Sequence, residues 1–524
     1  MHYLIRMLVI VNNIIYVTLV QIFSFIRCKK PSSIPPIKDS LLMISATELA
    51  EKIRERKCTS YNVVRAYIER IKEVNPYVNA VVDDRYKEAL AEAKNCDALL
   101  RSSNIDIATL KKEKPLHGVP FTVKESCPVE GLSHTGCTLT LKGRKASSDG
   151  EVVKILRDAG AIPLCVTNTA EFCGGYDSYN FLYGRSYNPY DTRYTSGGSS
   201  GGEAALLGAG ASVIGIGSDL AGSVRLPAFF CGVFGLKPTP NVIPNRDHFP
   251  SNDDEGFRNC LTFGPMTRYV DDLSLFMELV STKTNCNLRL DELVDWKQTK
   301  VYYRQNLGKS FGILSISPEL EQCVLKAADY FSKRDVHTEK IPIEWPASLL
   351  EMIMSPFMHM KKIDALIDIK NPKLKKNPML EMIKAVFGLS NHTISLLYFM
   401  LLQEFFQFAR GRTFDYLQEF KEFQQKLQKV LGTDGLLIYP TVRVTVPFPE
   451  LILGEVANNT PYLILANVLG FPAVQVPMGL NKKGMPIGVQ IIAAPHQDRL
   501  CLAAAKELET AFGGWVPPSI SINQ

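Results

Sequence analysis

The chain has 524 residues, 46% hydrophobic and 21% charged, a balance that excludes a disordered or low-complexity protein. A net charge of +6, with no long basic stripe interleaved with aromatics, implies no nucleic-acid partner. The twelve cysteines are scattered from Cys28 to Cys501 without a C-x-x-C pair, so they read as inert thiols rather than a metal site or disulfide framework.

The first predicted element is MLVIVNNIIYVTLVQIFSFI, residues 7 to 26, uncharged between Arg6 and the cluster Arg27-Cys28-Lys29-Lys30. A helix of that length spans ~30 Å, the thickness of a bilayer core, which predicts a transmembrane anchor over residues 1–28. Asn12, Asn13 and Gln21 interrupt its apolar surface, and an interfacial helix or uncleaved signal is the alternative. A cleaved signal would have a shorter apolar region and a small-x-small cleavage site. Slightly heavier positive charge after the segment leans the body toward the cytosol, and an intracellular membrane is the expected location, with the topology of the body left open. Asn391-His-Thr and Asn458-Asn-Thr match the glycosylation pattern and keep a lumenal location open.

Residues 29–44 form a proline- and serine-rich spacer, followed by a body over 45–515 and a tail over 516–524. Ser45-Ala-Thr-Glu48 predicts a capping box opening a helix. Val64, Tyr67, Ile68, Ile71 and Val74 predict a second helix that Asn75-Pro76 stops, and a third runs from about Arg85 to Leu100. GVPFTV, AIPLCVT and ASVIGIGS then read as buried strands, as do GLLIYPT, AVQVPM and IGVQII later. Helical patterns lie between, in SPELEQCVLKAADYFSKR and from Ser395 to Leu431. This alternation predicts an α/β fold with one large sheet flanked by helices. Residues 351–408 are rich in Met, Ile, Leu and Phe with paired lysines, and predict either a packed helical insertion or an amphipathic cap that touches lipid.

Residues 195–203, TSGGSSGGE, resemble a linker yet run into the apolar segment EAALLGAGASVIGIGSDLAGSVRLP. The run lacks the glycine-lysine-serine ending of a phosphate loop, and no G-x-S-x-G elbow surrounds Ser199 or Ser223. Glycines in such a place permit close backbone approach or positive φ. Upstream, HGVPFTVKES puts Lys124 at the end of a strand, where a charged group is expected only if paired or functional.

These three pieces together resemble the amidase signature family. The resemblance extends over residues 45 to 512 and includes GVPFTVKE, NPYD, GGSSGGE, GSDLAGSVRLPAFFCGVFGLKPT, YPT at 439 to 441, NVLGFPAVQVPMG and GMPIGVQII. It implies one mixed β-sheet wrapped by helices and a Ser-cisSer-Lys triad: Ser223 as acyl-enzyme nucleophile, Ser199 after a cis peptide bond as bridge, and Lys124 as base. It further implies an oxyanion hole from the N–H groups of Leu220, Ala221, Gly222 and Ser223. Ala221 stands where the family has glycine, so positive φ there would be strained. Asp219 and Arg225 are expected to pair and fix the loop, and Ser200 to support it.

The chemistry agrees with the residue types. A serine hydroxyl needs a positioned base. Lysine serves only when neutral, which requires burial to bring it down from ~10.4. His117 and His134 are expected to be structural, and no metal or organic cofactor is implied. The branch resembled, together with the anchor and the apolar insertion, implies a lipid amide substrate (fatty-acid amides), a membrane as partner, and room for a homodimer. The alternatives are a glutaminase of the amidotransferase type and a catalytically silent, membrane-tethered binding protein.

Overall fold

The computed structural model describes residues 2–26, 33–102, 106–308, 312–366, 368, 371, 374–409 and 416–518. The basic cluster at 27–30, the first residues of the spacer and the end of the tail lie outside them.

Among the described residues, strand sequence falls in thirteen places. The first half of the chain supplies β1 (Val81–Asp84), β2 (Pro120–Lys124), β3 (Ile162–Thr167), the short β4 (Tyr179–Asn180) and β5 (Gly184–Arg185), and β6 (Ile214–Asp219). Then come β7 (Phe234–Lys237), β8 (Thr262–Thr267), β9 (Lys300–Tyr303), β10 (His337–Lys340), β11 (Gly435–Tyr439), β12 (Ala473–Leu480) and β13 (Pro486–Ala493). β4 and β5 pair with each other, and the rest form one 11-stranded sheet in the order β1-β3-β2-β6-β8-β7-β12-β13-β11-β9-β10. The sheet is mixed: β3, β2 and β6 run parallel, as do β11, β9 and β10, with antiparallel pairings between the two groups. Every residue of β2, β3, β6 and β8 is buried, as expected of strands covered on both faces.

All six strands anticipated from apolar runs are present. β1, β7, β8, β9 and β10 carry charges, glycine or proline and gave no comparable signal. Ser45 caps its helix, Ala46–Arg54, by accepting from the Glu48 N–H at 3.0 Å. The second helix, Ser60–Val78, continues past Pro76. Its stop is Asn79 in the left-handed region, and Asn75 Oδ1 accepts from the N–H groups of Ala80 and Val81 beyond the end. The segment from Ser395 divides into the helices Ile394–Ala409 and Leu417–Leu431.

The N-terminal segment departs from the expectation of a free anchor. It is a helix, His2–Ile26, but one face is docked on the body. Arg6 is 2% exposed and its guanidinium makes two 2.6 Å bonds to the buried Glu351 carboxylate. Asn13 donates to Gly312 O at 2.7 Å, and Asn12 donates to Gly454 O at 2.9 Å. Asn12 and Asn13, which interrupt the apolar stretch, are therefore satisfied by protein. The opposite face exposes Met7, Val11, Ile14 and Ile15. Among the described residues no helix is long and apolar enough to cross a membrane.

Asn458 is buried, and its side chain donates to Asn13 and accepts from the Leu314 N–H. That sequon is closed to a glycan. Within 351–408, the helices Leu349–His359 and Ile394–Ala409 pack inward, while Pro378–Val386 exposes Met379, Leu380, Ile383 and Val386.

Candidate active site

β2 and β6 are adjacent and parallel, with Val123 opposite Ile216, so their carboxyl ends meet. That end of an open α/β sheet is where ligands bind. β2 ends on Lys124 and β6 on Ser218-Asp219. The loop after β6 leads through Ser223 into the short helix Arg225–Phe230.

Lys124 is 0% exposed. Its Nζ lies 2.7 Å from Ser199 Oγ and 2.9 Å from Ser218 Oγ. Burial pushes the ammonium below its ordinary value, opposed by the nearby Cys173 and Asp219. No carboxylate bonds to it directly among the described contacts, and the lowered value moves the group toward the uncharged amine.

The linker-like run lies buried between these strands. Gly198–Ser199 is a cis peptide bond. A Cβ on Gly198 would fall 2.8 Å from both Asp177 N and Gly175 O, so only glycine admits the neighbouring backbone. Ser178 Oγ faces this turn with its one proton shared between Gly197 O and Ser199 O, 3.0 Å each, and accepts from Gly201 N–H at 2.8 Å. Ser200 ties the run to the next loop. Its N–H donates to Ser223 O at 3.2 Å, and its hydroxyl bonds the backbone of Ser218 at 3.3 Å.

Leu220, Ala221 and Ser223 line a cavity. The positive φ of this loop, 98°, belongs to Gly222, so Ala221 carries none of the strain feared for it. A Cβ on Gly222 would meet Leu463 at 2.7 Å. The Gly222 N–H is already engaged, donating to Asp219 Oδ1 at 2.7 Å. This removes it from the expected oxyanion donors and leaves Leu220, Ala221 and Ser223.

Asp219 and Arg225 form the expected ion pair at 3.1 Å, both fully buried. Burial alone would raise Asp219; Arg225 and the bonds from Asn467 and Gly222 instead bring it to about 2. Arg225 also donates to Gln490 Oε1, Leu463 O and Asn467 Oδ1 at 2.6–2.8 Å. The pair is thus a fully bonded clamp on the loop, the condition under which a buried ion pair is tolerated.

The cavity runs from Ser223 and Tyr176 between Met354, Phe357, Phe399 and Phe406. Its walls are the helices Leu349–His359, Ile394–Ala409 and Ile452–Leu463. Lys361 and Lys362 also line it and pair with Asp253 and Glu404.

His117 and His134 sit outside this constellation. His117 bonds Cys96 O, and burial lowers it. His134 lies edge-on to Phe249, and burial, aided by Arg144, lowers it to about 4. Sequence reasoning missed Ser178, Ser218, Cys173, His248, Asn467 and Gln490. Ser218 had a usable signal, a hydroxyl at the last residue of the predicted apolar strand ASVIGIGS. The others reach the site from distant loops and helices, and no local pattern marks them.

Fold and site together define a hydrolase of carboxylic amides, and comparison with known proteins agrees. Residues 62–502 match the Amidase family, and the chain belongs to it, among the amidase signature enzymes. It is 38% identical over 495 residues to human (Homo sapiens) fatty-acid amide hydrolase 2, covering 92% of each chain. It is 29% identical over 497 residues to an acylamidase of Rhodococcus erythropolis, covering 90% of this chain and 96% of that one. A solved fatty acid amide hydrolase has the same fold, with TM-score 0.69 at 21% identity over 91% of this chain and 86% of that one.

Proposed function

We propose that the chain hydrolyses long-chain fatty-acid amides to a free acid and an amine through an acyl-enzyme on Ser223. Ser223 passes its proton to Ser199, whose own proton moves to the neutral Lys124, and the freed oxygen attacks the carbonyl carbon. The N–H groups of Leu220, Ala221 and Ser223 receive the oxyanion. Lys124 returns the proton through Ser199 to the amine nitrogen as the C–N bond breaks. Water then cleaves the ester, releasing the acid and restoring the Ser223 hydroxyl.

The observation that carries the substrate class is the aromatic and aliphatic cavity opening from Ser223. A glutamine side chain would leave that surface unfilled. Each CH₂ buried contributes ~0.8 kcal/mol, so kcat/KM for amides of one amine should rise about threefold or more per added methylene until the cavity is filled. A flat or falling series from acetyl to long-chain amides would overturn the fatty-acid reading.

We further infer that the enzyme works at an intracellular lipid surface. The apolar face of the N-terminal helix and the exposed Met379, Leu380, Ile383 and Phe387 support this reading. Protein lacking residues 1–28 should still co-float with liposomes, and Leu380→Glu with Ile383→Glu should abolish the remainder. Complete loss on truncation alone would refute lipid contact by the 378–389 segment.

A further inference from the structure

We propose that His248 is a positioning residue that fixes the polarity of the Ser218 hydroxyl, and thereby aims the Lys124 lone pair at Ser199. This rests on the reading of Lys124 as the base.

His248 lies in the connection between β7 and β8 and is 4% exposed. Its ring packs against Phe263, centroids 5.5 Å apart, and Phe263 is the residue across the ladder from Ser218. Nδ1 is 2.7 Å from Pro250 O, and Nε2 is 2.9 Å from Ser218 Oγ. Ser218 Oγ is in turn 2.9 Å from Lys124 Nζ. A carbonyl oxygen only accepts, so Nδ1 carries the hydrogen and Nε2 of the neutral ring is an acceptor. The Ser218 proton is then committed to Nε2, and its oxygen can only accept from Lys124.

A neutral amine has two N–H groups and one lone pair. With one N–H directed to Ser218 and the other to the Cys173 sulfur, the lone pair is left for the hydroxyl proton of Ser199, 2.7 Å away. Were Ser218 free to rotate, its hydroxyl would donate to that lone pair and compete with Ser199 for the base. The imidazole prevents this from the far side of Ser218 without touching any reacting atom. Cys173 is a further titratable group within hydrogen-bond reach of both His248 and Lys124, and His134 and His248 act on each other through charge; of these contacts the one at Ser218 Oγ links the imidazole to Lys124 through a hydroxyl.

The test compares His248→Phe, which keeps a ring but no acceptor, with His248→Gln, whose amide can accept from Ser218 and donate to Pro250 O. Both are measured alone and on a Ser218→Ala background, with Ser223→Ala as control. On a long-chain amide, H248F should lower kcat by about tenfold or more with KM changed less than about twofold. H248Q should recover to within about threefold of wild type. On the Ser218→Ala background H248F should cost less than about threefold further, because no hydroxyl remains to be oriented. If H248F does not fold by circular dichroism, His248→Asn, too short to reach Ser218, takes its place with the same expectation. An H248Q variant as impaired as H248F, or an undiminished H248F loss on the Ser218→Ala background, would overturn the proposal. Amide hydrolysis surviving in Ser223→Ala would instead overturn the nucleophile assignment, whatever the His248 variants do.

Discussion

Lys124 and Ala221 show how a single position is judged by what surrounds it. A lysine at the end of an apolar strand is costly unless it works, and here it is fully buried between two serine hydroxyls. Because burial depresses its pKa, the neutral base persists below the ordinary lysine range, and activity is lost as pH falls through the depressed value. An amine leaves only when protonated, so in the proposed mechanism amide cleavage needs Lys124 and Ser199 both to activate Ser223 and to deliver the proton. A matched activated ester needs only the first. Lys124→Ala and Ser199→Ala should therefore cut kcat/KM for the amide at least about tenfold more than for the ester. Equal losses in folded variants would assign proton delivery to another group. Ala221 teaches the reverse lesson. Its departure from the family pattern looked like strain, yet the left-handed φ falls one residue later, on Gly222.

At the level of elements, the helix Gly201–Gly208 carries Glu203, fully buried, into the strands beneath the site. Thr122 of β2 donates to one oxygen at 2.6 Å and Thr167 of β3 to the other at 2.7 Å. Burial, offset in part by those hydroxyls, raises this carboxyl to about 8. The folded state therefore holds a proton that the unfolded chain releases above about 4.5. Between those values the folded state binds more protons, so stability falls as pH rises towards about 8 and then levels. Glu203→Gln, which imitates the protonated acid, should match wild type near pH 5. Its relative unfolding free energy should then climb by at most about 1.4 kcal/mol per pH unit up to pH 8. Urea unfolding at the two pH values checks this, and a pH-independent difference would show the carboxylate to be charged in the fold.

Elements were legible where one physical signal dominated. Val64, Tyr67, Ile68, Ile71 and Val74 are all buried as their spacing required, and β2, β3 and β6 are the apolar runs they resembled. Pro76 misled because its missing N–H matters little in a last turn already stitched by Asn75. The N-terminal helix misled because hydropathy cannot register that Arg6 and Asn13 have partners hundreds of residues away, at Glu351 and Asn458. Lys124, Ser199 and Ser223 were legible through their motifs. Ser178, His248 and Asn467 were not, because their role arises only when separate loops converge.

Across the whole molecule, a sheet that is parallel at the site and antiparallel through its centre brings two buried strand ends together. Helices from the second half of the chain then add an apolar cavity above them. The proposed catalytic residues and the apolar cavity are thus contributed by different parts of the sequence, and the central claim is that they act on one substrate at Ser223. Alkyl fluorophosphonates of increasing chain length, with peptide mapping of the adduct and measurement of labelling rates, test both halves at once. A single adduct on Ser223 is expected, absent in Ser223→Ala, with a second-order rate that climbs by about an order of magnitude or more from short to long chains. An adduct on Ser199 or Ser200, or a rate indifferent to chain length, would contradict that claim.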